Sequence, residues 1–382
     1  MKKIGIVTTS RADYGLYLPI IKKIKSSKSL KLQLYVSGMH LMPEYGHTAD
    51  FIRKDGFAIE SEINLKIKDT PLSIAKAMGE GTKRFAEAFE ESQPDILLIL
   101  GDRFEMHCAA VAAIPFGIPI AHIHGGELTY GAFDEYFRHS LTKLSQVHFA
   151  ATEQYANRIK QMGENPAKVF VTGAPGIDNI LNMTWLSQED LAKKFKIDFA
   201  KPILLTTFHP VTMESENTLS HIENLLNALS EFDECAIVFT HPNMDTNSRI
   251  IAGAIKKFVN DHAHAVMVEN FGQLGYLSML NEASVMVGNS SSGIIEAASF
   301  KLPVINIGKR QEGRQRGKNV IDVGYAAEDI KAGIKRALSD NFINSLADLV
   351  NPYGDGRAAE RIAGNLEKME LKKFKVKEFF DQ

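Results

Sequence analysis

Short, almost wholly apolar runs alternate with stretches of helical periodicity along the chain. In the first half the runs are Lys3–Thr8, Leu30–Ser37, Asp95–Leu100, Pro119–His124, Val147–Ala151 and Lys168–Thr172. Several lack the in-out alternation of a half-exposed strand, as strands covered on both faces of a parallel sheet do. Helical patterns lie between them, for example over Leu72–Glu91 and Phe104–Phe116. The second half repeats the habit, with strands predicted at Pro202–Phe208, Cys235–Thr240, Ala265–Val268, Ser284–Gly288 and Pro303–Ile307. Regular alternation of strand and helix predicts an α/β architecture with parallel sheets.

A length of 382 residues fits two domains. The boundary is expected just after Gly173-Ala174-Pro175-Gly176, giving domains at 1–178 and 179–365. The stretch from Asn182 to Lys201 reads as a hinge with a helix cap at Ser187. Past Arg357 the pattern is helical, with Ile362, Leu366, Met369 and Phe374 on about one side. Residues 366–382 are expected to form a terminal helix that packs back on the body.

Composition narrows the class. Hydrophobic residues make up 45% and charged ones 24%, enough to fill two cores and too apolar for disorder. A formal net charge of −2 provides no field that would draw the chain onto nucleic acid or an acidic membrane. Cys108 and Cys235 lie far apart in apolar runs, which argues against a disulfide framework or zinc site and fits a reducing, cytoplasmic setting. The apolar stretch Ile4–Val7 is too short for a signal peptide, and no apolar run reaches membrane-spanning length.

In open parallel sheets, ligands bind beyond the carboxyl ends of the strands. The first strand runs into Thr8-Thr9-Ser10-Arg11-Ala12-Asp13, a hydroxyl-rich turn with a forked cation at a helix start, suited to an anion or to a simple capped turn. No glycine-rich dinucleotide fingerprint or P-loop occurs. The run ending at Leu100 delivers Asp102 and Arg103 together: a reactive carboxylate beside a phosphate contact, or a helix cap with a neighbouring ion pair. Between His122 and His139 stand His124, Glu127, Asp134 and Glu135. His122 and His124 share one face of a strand, yet no third ligand follows at metal spacing, so acid–base chemistry is preferred over a metal site. His122 and His139 read equally well as hydrogen-bonded core residues.

The second half supplies matching strand ends. Two strands finish in His-Pro, at His209-Pro210 and His241-Pro242, where proline stops pairing and leaves histidine at the sheet edge. Gly288-Asn289-Ser290-Ser291 follows another strand and opens a helix, offering N–H groups and hydroxyls to a diphosphate, with Glu296 placed for ribose hydroxyls. Gly308-Lys309-Arg310 adds cations.

Taken together, Ser10-Arg11-Ala12-Asp13-Tyr14, Gly101-Asp102-Arg103, Gly125-Gly126-Glu127, Asp134 with Arg138-His139, His209-Pro210, Gly288-Asn289-Ser290-Ser291 through Glu296, and Pro303–Gly308 with Arg310 resemble, in order, the hydrolysing UDP-N-acetylglucosamine 2-epimerases of sialic-acid and legionaminic-acid synthesis. The resemblance implies two Rossmann-like domains whose parallel sheets face a cleft, as in glycosyltransferase-B-like folds. It implies a nucleotide-sugar substrate, no cofactor, and a homodimer or homotetramer. It assigns nucleotide and diphosphate contacts to Arg11, Arg103, Ser290, Ser291, Glu296 and Arg310, with His241 a further binding candidate, and catalysis to Asp102, Asp134 and His209. Where the family carries a catalytic glutamate this chain has His124, so either His124 or Glu127 takes that role. The Glu127-to-Asp134 spacing is also one residue longer. The expected reaction eliminates UDP to a glycal and rehydrates it with inversion at carbon 2. A diacetamido sugar on UDP or GDP, a non-hydrolysing epimerisation and glycosyl transfer are the alternatives.

Overall fold

The apolar runs form strands, and each recorded strand pair is parallel. The computed structural model describes residues 1–43, 46–66, 70–128, 134–181, 183–211, 216–242, 247–374 and 376–381, without the side chains of 372 and 373. The lengthened Glu127-to-Asp134 segment, Asn182 of the predicted hinge and the residue after His241-Pro242 lie outside them in whole or part.

Two compact units emerge. The first gathers Met1–Leu128, Phe133–Asn179 and Tyr353–Gln382; the second gathers Ile180–Pro352. In the first, β1 (Lys2–Thr8), β2 (Leu30–Ser37), β3 (Ser61–Ile63), β4 (Ile96–Leu100), β5 (Ile120–Ile123), β6 (Val147–Ala150) and β7 (Val169–Val171) lie in the order β3-β2-β1-β4-β5-β6-β7. In the second, β8 (Ile203–Thr207), β9 (Ala236–Thr240), β10 (Ala265–Val268), β11 (Val285–Gly288), β12 (Val304–Ile307) and β13 (Val320–Val323) lie in the order β10-β9-β8-β11-β12-β13. Both units are Rossmann-like, each with its direction of winding reversed once, between β1 and β4 and between β8 and β11. A crevice for ligand opens at such a reversal, beyond the carboxyl strand ends.

The central strands explain their own apolar sequence. β4, Ile96-Leu97-Leu98-Ile99-Leu100, is buried at every position. Sequence reading omitted β3 and β13. Each lies at a sheet margin and keeps polar, partly exposed residues, so neither produces an apolar run.

The end of the chain corrects the expected layout of a second domain to residue 365 and a terminal helix over 366–382. The helix is Ala358–Lys368, followed only by a short 3₁₀ turn, Leu371–Phe374. It belongs to the first unit for a local reason. The buried Asp178 carboxylate accepts the N–H groups of Ala358 and Ala359 at 2.9 and 2.7 Å, capping its start. Ile362 and Leu366 enter the first core, and the Lys2 ammonium donates to the carbonyls of Leu366 and Met369 at its end. The predicted Ser187 cap forms, accepting from the Asp190 N–H at 3.1 Å to start the helix Gln188–Phe195.

Candidate active site

At the tip of β1, Ser10 caps the helix Arg11–Ser26 and Asp13 returns a bond in a capping box. The Asp13 carboxylate also accepts from Thr9 N–H and from the hydroxyls of Thr8 and Thr9, so it anchors the turn. His40, which the sequence reading passed over, is buried here between the hydroxyls of Thr8 and Thr48 at 3.0 and 2.7 Å. Arg11 stays exposed, its guanidinium 5.1 Å from the centre of the Phe51 ring.

At the tip of β4, Gly101 turns the chain at φ 77°. Asp102 then pairs with Arg138, which reaches it from the helix Asp134–Leu144. Arg103 forks onto the fully buried Glu105 at 2.9 and 3.2 Å. That ion pair needs Gly38, at φ 57°, because a Cβ there would lie 2.7 Å from Glu105 Oε1. Glu105 is therefore a partner of the proposed phosphate contact that the motif alone did not reveal.

At the tip of β5 the two histidines part ways. His122 is fully buried; its Nε2 lies 2.7 Å from the Gly101 carbonyl oxygen and its Nδ1 3.3 Å from Thr142 Oγ1. Burial pushes it down to about 3, so it is a neutral structural imidazole. His124 takes a left-handed φ of 63°, uncommon for a non-glycine residue, and its Nδ1 lies 2.6 Å from Glu127 Oε1. Gly126 allows the turn to pass close to the helix Glu153–Gln161: its φ is 75°, and a Cβ would lie 2.4 Å from the Tyr155 carbonyl oxygen.

Asp134 opens its helix with its own surface open to solvent, while its carboxyl faces Asp102, Arg138, Arg103 and Glu105. Desolvation first, then the Asp102 charge, push it up to about 6, against the pull of the two arginines. His139 turns aside to Glu135 at 2.9 Å.

In the second unit, Asn289 organises the tips of β8 and β11. Fully buried, it donates from its amide to the His209 carbonyl at 2.9 Å and accepts the His209 N–H at 2.8 Å. Its own carbonyl accepts from Arg310 and Gln311 at 3.2 and 2.9 Å. Burial, aided by the Arg310 charge, pushes His209 down to about 3, so the imidazole is neutral near pH 7. Ser290 caps the short helix Ser291–Ile295, and Glu296 closes it. Tyr276, absent from the sequence-derived set, places its phenol among Ser292, Thr207 and Ser290, and burial pushes it up to about 12. His241 is exposed and turns Nδ1 to the Pro242 carbonyl oxygen at 2.8 Å. No group of three or more His, Cys, Asp or Glu suited to a metal ion occurs among the described residues.

A family model described as UDP-N-acetylglucosamine 2-epimerase matches residues 22–367. The chain belongs to this epimerase family. It is 38% identical over 362 residues to a UDP-N,N'-diacetylbacillosamine 2-epimerase (hydrolyzing) of Legionella pneumophila, covering 94% of each chain. It is 39% identical over 323 residues to a GDP/UDP-N,N'-diacetylbacillosamine 2-epimerase (hydrolyzing) of Campylobacter jejuni, covering 84% of each. In fold it is similar to a UDP-GlcNAc 2-epimerase of Neisseria meningitidis solved with UDP-GlcNAc, at a TM-score of 0.80 and 19% identity over 97% of this chain and 100% of that one.

Within this epimerase-family chain, the first unit brings together Asp102, Arg103, His124, Glu127 and Asp134. The second gathers His209, Ser290, Ser291, Glu296 and Arg310 around the tips of β8, β11 and β12. Arg11 lies beside the β1 turn and His241 beyond β9. Arg138, Asn289 and Tyr276 had no assigned role in the sequence, because only their distant partners give them one; Glu105 had none because its burial, and not its neighbour Arg103, is what the sequence leaves unseen.

Proposed function

We propose that the chain is a hydrolysing 2-epimerase of a UDP-linked 2-acetamido sugar. The observation that carries this reading is the cluster of Asp102, Asp134 and the His124–Glu127 pair at the tips of β4 and β5, with one carboxyl raised to about 6. The hydrogen on carbon 2 is barely acidic until the diphosphate begins to leave carbon 1. Loss of UDP breaks the carbon 1–oxygen bond as Asp102 or Asp134 takes the carbon 2 proton, giving a glycal. Water then adds its hydroxyl to carbon 1 while a proton enters carbon 2 from the opposite face, which requires acid–base groups on both faces. By itself, the second unit carries groups that suit a diphosphate: Arg310, the Ser290–Ser291 turn and the neutral His209.

The sugar to test first is UDP-diacetylbacillosamine, because the relatives at 38% and 39% identity carry that name. UDP-N-acetylglucosamine comes next. The experiment is incubation in heavy water, followed by proton and phosphorus NMR. Free UDP with a 2-epimeric sugar deuterated at carbon 2 is the expected result. Nucleotide-sugar product that keeps UDP attached would point to non-hydrolysing epimerisation, and inertness towards both sugars and the GDP form to a glycosyltransferase.

A further inference from the structure

Arg138 was only a neighbour of Asp134 in the sequence motif. Its guanidinium is 4% exposed as a residue, yet it meets two strand tips at once. Nη2 donates to Asp102 Oδ2 after β4, and Nη1 donates to the His124 carbonyl after β5 at 3.1 Å. Its own carbonyl oxygen lies 3.1 Å from Thr142 Oγ1. Thr142 Oγ1 lies 3.3 Å from His122 Nδ1, and His122 Nε2 lies 2.7 Å from the Gly101 carbonyl oxygen. These contacts join β4, β5 and the helix that begins at Asp134. His122 is neutral, so its Nε2–H donates to the Gly101 carbonyl and its bare Nδ1 accepts the Thr142 hydroxyl proton, a link made without charge.

We infer that Arg138 is a positioning residue that holds Asp102, the His124–Glu127 pair and Asp134 in one fixed arrangement for acid–base work. The inference rests on the epimerase reading of this site. A buried cation is costly to desolvate and would be poor value as a mere stabiliser, since an apolar packing residue does as well. Its planar fork fits two acceptors in fixed directions, whereas a lysine ammonium supplies the charge without the fork. The left-handed backbone of His124 adds to the need for a brace, because such a conformation persists only where surrounding contacts hold it.

The charge and the geometry of Arg138 can be separated. Asp134 faces Asp102 and Glu105, which hold its proton more tightly, and Arg138 and Arg103, which loosen it. Arg138→Gln removes both charge and bridge; Arg138→Lys keeps the charge and removes the bridge. We expect Arg138→Lys to lower kcat about 10²-fold with KM near that of the unaltered enzyme, as a slightly misplaced reacting group does. The acidic limb of its pH profile should stay in place. Arg138→Gln should lower kcat further and move that limb upward. Wild-type kcat in Arg138→Lys overturns the inference. So does a loss in either variant that only tracks a lower melting temperature, with kcat per folded enzyme intact. Failure of the unaltered enzyme to release UDP from any of the nucleotide sugars would sink the epimerase reading instead. The brace is then decided by carboxyl ¹³C NMR: an Asp102 resonance that changes in both variants, and an Asp134 midpoint that rises only in Arg138→Gln, support it. Spectra unchanged from the unaltered protein overturn it.

Discussion

His124 Nδ1 and Glu127 Oε1 stand 2.6 Å apart in a turn where His124 adopts φ 63°. The pair is buried, with side chains 11% and 5% exposed, so the carboxylate fixes which ring nitrogen carries a proton towards it. The sequence left His124 and Glu127 as alternatives for one role. Their contact makes them a single unit, in which the carboxylate orients the imidazole.

A unit of this kind is non-additive when dismantled. Glu127→Gln and His124→Gln should each lower kcat about 10²-fold or more, while UDP affinity holds. The double variant should lose little beyond either single one. Steady-state kinetics on all three decide the matter; additive losses would mean that the two residues act separately.

Asp102→Asn should bind UDP as the unaltered protein does and lose turnover, since the amide cannot take a proton from carbon 2 and meets Arg138 less well. Calorimetry for UDP and NMR for product give the two readouts. Near-normal turnover would refute a proton-transfer role for Asp102.

Asp134 makes the pH dependence specific. With its carboxyl raised to about 6, kcat/KM should fall as pH drops through that region if Asp134 acts as the base. Stability runs the other way. The folded state holds this proton more tightly than the unfolded chain, so the favourable contribution is full below the usual aspartate value near 3.8 and is lost as pH rises through about 6. Asp134→Asn should therefore melt above the unaltered protein at pH 8 and close to it at pH 4. A melting difference that is largest at pH 4 would contradict the assignment.

Gly288 sits at φ 134°, and a Cβ there would lie 1.9 Å from the Thr207 carbonyl oxygen. The Asn289 N–H donates to that same oxygen at 3.1 Å. Gly288→Ala must push β8 and β11 apart, at a cost of about 3 kcal/mol or more, and should weaken UDP binding with it. Urea denaturation measures the first effect and calorimetry the second. A cost of less than about 1 kcal/mol would show that the strands can part without harm.

The sequence by itself determined where the central strands lie and what chemistry stands at their tips. That information is local: an unbroken apolar run reports burial on both faces, and the polar residues that follow it report a turn at the sheet edge. Tertiary structure alone decided which of those residues meet. Arg138 reaches Asp102 across 36 positions, Asn289 grips His209 across 80, and Asp178 caps Ala358 across 180. Such contacts follow from strand order and from where the chain crosses back, and runs as alike as Ile-Leu-Leu-Ile-Leu and Val-Ile-Asn-Ile do not encode which neighbour each takes. The marginal strands β3 and β13 were invisible for the same reason, since partners rather than composition make them strands. The proton affinity of Asp134 was likewise unreadable, because it is set first by desolvation and then by the two carboxylates and two arginines that the fold brings around it.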